Sequence, residues 1–68
     1  MEPSSVPIET IESDADFVLF SGDEGLLSEH WTESEARMAF YKEAARKKLG
    51  ERLPTIYERR EPHWVPLN

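Results

Sequence analysis

No cysteine occurs in this chain of 68 residues. That removes disulfides, thiol nucleophiles and thiolate metal sites together, and a reducing, cytoplasmic setting is the expectation. Basic residues are missing from the whole first half, since none of the eight lysines and arginines precedes Arg37. Glycine is scarce, and Gly22, Gly25 and Gly50 match neither the phosphate-loop nor the dinucleotide-binding spacing. Only two histidines, His30 and His63, are present, half a chain apart. No apolar run exceeds four residues, as in Phe17 to Phe20, where a membrane span needs about 20. The start carries Glu2 rather than bases and no hydrophobic stretch follows, so no secretory leader is expected.

Carboxylates are abundant, and they are unevenly placed. Residues 1–36 hold ten of them, while residues 37–68 set eight bases against Glu43, Glu51, Glu58 and Glu61. The net charge of −6 therefore conceals a dipole along the chain. Such a chain either folds its acidic half onto its basic half or offers one half to an oppositely charged partner. Apolar residues make up 38% of the sequence, below the globular average, so the core must be small. A second subunit or a partner's surface would complete it.

Residues 1–13, with two prolines and isolated apolar residues, read as a disordered or extended acidic tail. Residues 14–68 read as a single small α+β domain. Within it, Asp16 to Ser21 is the strand candidate, aromatic and β-branched between turn-forming residues. Its four consecutive apolar residues require cover on both faces. Asp23 can cap a short helical turn through Leu26, Leu27 and His30. Thr32 with Glu35 three residues later forms a capping box, and Gly50 is placed for a left-handed C-terminal cap. A helix from Glu33 to Leu49 follows. Met38, Tyr41, Ala45 and Leu49 form one stripe on it, expected to face the core. Ala36, Phe40 and Ala44 form a second, expected to meet a tail, a second subunit or a partner. After Pro54, the segment Thr55 to Glu58 is strand or helical turn, its period too brief to separate the two. Trp64, in a proline-flanked tail, is large enough to dock back onto the domain.

The expected fold is α+β: one long helix on a minimal two- or three-stranded sheet built around Asp16 to Ser21, with Thr55 to Glu58 or the Trp64 tail as the second strand, and with a flexible N-terminal tail. The alternative is a mostly helical hairpin of the Asp23 to His30 turn and the long helix.

Enzymatic constellations are poor. Glu29, His30 and Glu33 offer metal-ligand chemistry but too few groups, and Asp14, Asp16, Asp23 and Glu24 lack the order of a calcium loop. Neither catalysis nor a metal or other cofactor is expected. The segment Ser13-Asp14-Ala15-Asp16-Phe17-Val18-Leu19-Phe20 is similar to SUMO-interacting motifs, which implies strand addition to a partner's sheet edge; the same residues also serve as an internal strand.

The reading that fits best is a small non-enzymatic protein-interaction module, a regulator or inhibitor that binds another protein or a second copy of itself. Trp31, Phe40, Tyr41 and Trp64, with Arg46 and Arg52, are the candidate contact residues, and equally they could be the core. Two alternatives remain. Lys42, Arg46, Lys47, Lys48 and Arg52 with Arg59-Arg60 could bind nucleic acid, which the net negative charge disfavours. The acidic half could instead act as a DNA mimic on a basic partner.

Overall fold

A computed structural model describes residues 4–67. Its elements are β1 (Val6–Pro7), a single 3-10 turn over Ile8–Thr10, β2 (Phe17–Ser21), β3 (Gly25–His30), α1 (Glu33–Arg46), β4 (Thr55–Arg60) and β5 (His63–Pro66). The strands form one antiparallel sheet in the order β1-β5-β4-β2-β3.

The class is α+β, but the sheet has five strands, not the two or three expected. Each additional strand came from a segment too short to declare itself alone. β3 arises where a helical turn was predicted. Ser21 accepts hydrogen bonds at its hydroxyl from the Asp23 and Glu24 N–H groups, at 3.2 and 3.4 Å, and Gly25 adopts φ +83°. That left-handed residue, costly for any side chain, reverses the chain into a hairpin instead of opening a helix. Thr55–Arg60 and His63–Pro66 both become strands and pair with each other. The N-terminal segment adds β1, pairing Val6 with Trp64; the first part of the predicted tail, Met1 to Pro3, lies outside the described residues.

β2 is a central strand, bonded to β3 on one side and β4 on the other. The stretch similar to a SUMO-interacting motif is thus an internal strand of this sheet. Its alternation sends Val18 and Phe20 to one face and Phe17 and Leu19 to the other, each with its own cluster. The first face gathers Ile11, Val18, Tyr57 and Trp64, with Val6 and Ile8 packed against them. The second gathers Leu19, Ile56 and Ala36, with Phe17, Leu27, Ala39, Phe40 and Leu67 against them. The N-terminal arm covers one face and α1 the other.

Thr32 caps α1 as predicted, its hydroxyl accepting from the Glu35 N–H at 3.2 Å. The helix ends at Arg46, three residues short of the predicted Leu49, because Lys47 turns extended (φ −77°, ψ 146°). Its faces are also reversed from expectation. Ala36 and Phe40 pack on the sheet, whereas Met38 and Tyr41 stand 62% and 64% exposed. Small residues at 36 and 39 let the helix lie close to the strands. The other stripe loses Leu49, which falls beyond the helix end.

Candidate protein-interaction surface

The strands place the predicted contact residues on different sides of the molecule. Trp64 is fully buried on the arm face, where its indole N–H donates to the Ile8 carbonyl at 2.9 Å. Phe40 is half-buried against the opposite face, and its ring meets Tyr41 edge-on at 5.7 Å. Tyr41 itself and Trp31, in the link between β3 and α1, are exposed. Arg46 is exposed and pairs with Glu43 at 3.2 Å. Arg52 is exposed beside the β2–β3 turn, its Nη1 3.5 Å from where a Cβ on Gly22 would stand. The six residues do not form one patch: Phe40, Tyr41 and Arg46 share α1, while Trp64 belongs to the far side of the sheet.

The two candidate ligand clusters are likewise dispersed. Glu29 accepts a short hydrogen bond from the Ser13 hydroxyl, His30 shares one of 2.8 Å with the Ser28 hydroxyl, and Glu33 binds Arg37 at 2.7 Å. Adjacent strand residues point to opposite faces, so Glu29 and His30 are separated by the sheet. Much of the basic cluster is also engaged within the chain. Arg59 donates to the Ser13 and Ala15 carbonyls, Arg60 pairs with Glu58 and Lys47 pairs with Glu24 at 2.8 Å. The hydrogen bond from Lys47 holds the Glu24 carboxyl below its ordinary pKa, and the same bond raises that of Lys47. Burial raises that of the Tyr57 phenol.

Sequence reasoning missed the most open feature of the fold, the β3 edge. β3 has six residues and bonds only to β2, so its outer row of backbone N–H and C=O groups has no strand beside it. The opposite edge, β1, has two residues, one of them Pro7, which has no N–H to offer. Along β3, Leu19 stands opposite Ser28 and Phe20 opposite Leu26, which makes Leu27 the extra residue of a bulge. Between β3 and α1 runs an open groove of about 510 Å3, lined by Leu27, Ser28, Ala39, Lys42, Glu43 and Arg46 among others. It continues past His30, Glu35 and Met38. Lys42 has no ion-pair partner among the described residues. The Gly-Leu-Leu run after a turn was the available signal; helical propensity around it hid the strand.

No helix among the described residues is long and apolar enough to cross a membrane. Compared with known proteins, the chain matches no family model, no curated protein and no solved structure, so its functional reading rests on this geometry.

Proposed function

We propose that this protein is a small non-enzymatic interaction module, a regulator that acts by binding, and that its contact surface is the β3 edge with the groove beside it. The observation carrying this reading is the asymmetry of the two sheet edges. One is cut to two residues and blunted by Pro7, while the other keeps six residues open next to an apolar-floored groove. Natural sheets cover, charge, bulge or shorten a long edge that is not used. β3 carries the Leu27 bulge and Glu29 but keeps its length, has no proline and has no strand over it. An added strand gains main-chain hydrogen bonds along β3 and places alternate side chains into the groove, over Leu27 and Ala39. The exposed Met38 side chain is adaptable and suits such a contact.

Selection of short random peptides on the immobilised full chain, followed by amide chemical-shift mapping, tests the reading. Bound peptides are expected to shift the β3 amides and those of Ala39 and Lys42. Met38→Lys should weaken binding about tenfold while leaving the thermal midpoint nearly unchanged, since Met38 is exposed and surface changes rarely exceed about 0.5 kcal/mol. Peptides that shift only β1 and β5, or a failure to select any, would sink the assignment.

A further inference from the structure

We infer that the strand taken by this edge is β3 of a second copy of the chain, paired antiparallel about a two-fold axis normal to the sheet. The inference rests on the strand-addition reading and names its partner. Such a pairing is isologous, with the same patch on both subunits, and it would join two five-stranded sheets into one.

Charge on α1 favours a second copy over a foreign strand. The flank of α1 bordering the groove carries Glu35 near its start and Lys42, Glu43 and Arg46 toward its end, where two bases outnumber one acid although Arg46 also pairs with Glu43 at 3.2 Å. A two-fold axis normal to the sheet puts both helices on the same face and makes them antiparallel. The acidic start of each then lies alongside the basic end of the other, bringing Glu35 toward Arg46 of the second copy twice over. Lys42, without an ion partner among the described residues, sits near the middle of this seam. A parallel arrangement would set like charges together.

Dimensions agree. α1 touches β2, β3 and β4 and so rides over β2, which lies three strand spacings, about 14 Å, from its two-fold mate. That exceeds the 8–10 Å of two helices in direct contact, roughly by the length of long side chains meeting between them. Met38, Lys42 and Arg46 supply such side chains. On the strand itself, the groove-side residues Leu27, Ser28 and His30 carry no carboxylate, and the one carboxylate of β3, Glu29, lies on the other face, where the Ser13 hydroxyl donates to it. The net charge of −6 opposes association over distance, an effect that physiological salt screens.

Sedimentation of the full chain at physiological salt, from micromolar to millimolar concentration, reads the outcome. The mass is expected to rise toward twice the 7.9 kDa of one chain. Glu35→Lys and Arg46→Glu should each lower the association constant about tenfold, and the two together should restore it. A merely structural role for either residue would give no such rescue. Mixed labelled and unlabelled wild-type chains provide a second measurement without any variant, because β3-to-β3 contacts should appear between copies. A chain that stays monomeric throughout overturns the inference, as does a dimer without β3-to-β3 contacts. If the monomer still binds selected peptides at β3, only the choice of partner falls. If β3 takes neither peptide nor copy, the strand-addition reading falls with it.

Discussion

On one face of the sheet Trp64 is fully buried beneath a short N-terminal arm; on the other, α1 lays Ala36 and Phe40 over Leu19 and Ile56 and leaves Met38 and Tyr41 in water. The arm needs little bulk because the sheet supplies it. Trp64 fills the space, its indole N–H is satisfied by Ile8, and the Arg59 guanidinium lies 4.6 Å from the ring centroid, within cation–π range. The helix covers its face differently, with Ala36 and Ala39 bringing its backbone close and Phe40 as the one large inward residue, so Met38 and Tyr41 are left over on the outer side. Both faces hold the fold, but one is sealed while the other leaves surplus apolar surface, the surface on which the proposed contact draws.

Removing the seal should have the largest effect. Trp64→Ala is expected to cost about 3–5 kcal/mol, the usual penalty for deleting a buried large aromatic. In so small a domain that is most of the stability, so a urea titration should show the variant largely unfolded in water. A cooperative transition near the wild-type midpoint would mean that the arm face does not hold the fold.

Arg59 tests how the arm is fastened. Its side chain donates to the Ser13 and Ala15 carbonyls, its backbone N–H donates to the Asp16 carbonyl at 2.8 Å, and it stands opposite Trp64 in the register. Arg59→Met keeps the aliphatic length but loses the donors, and should cost about 1.5–3 kcal/mol. Hydrogen exchange should quicken first at Ile8 and Ala15. A loss below about 0.5 kcal/mol would mean that Ile11 and Trp64 alone hold the arm down.

The helix start, the central strand and the need for cover on both its faces were legible in the sequence, because each depends on local signals: the Thr32 cap, the apolar tetrad, strand alternation. The strand count was not. Val6–Pro7, Gly25–His30 and His63–Pro66 are strands by virtue of the neighbours they meet, and pairing energy of that kind has no local signature. The candidate surface was obscured for a related reason. Phe40 and Tyr41 are adjacent aromatics on the same helix, and only the packed sheet decides which of them turns inward. Sequence likewise cannot show which edge of a sheet is left open, since that follows from the order of strands rather than from any one of them.

The smallest effect belongs to the ion pair that ties the β2–β3 turn to the end of α1, Glu24 with Lys47. The bond lowers the Glu24 pKa from its ordinary value and raises that of Lys47 from its own. A depressed carboxyl stabilises the fold above its unfolded pKa, and that contribution is lost as pH falls through the folded value. A raised ammonium stabilises below its unfolded pKa and loses the contribution as pH rises through the folded one. The pair therefore helps across the neutral range and fails at both extremes. Glu24→Gln should lower the thermal midpoint slightly at neutral pH, with the difference from wild type vanishing in acid below the folded Glu24 pKa. Because the carboxylate is solvated, added salt should shrink that difference. A gap that persists unchanged into acid would show that the glutamine disturbs the turn itself. Charge would then play no part in anchoring the open end of the helix face.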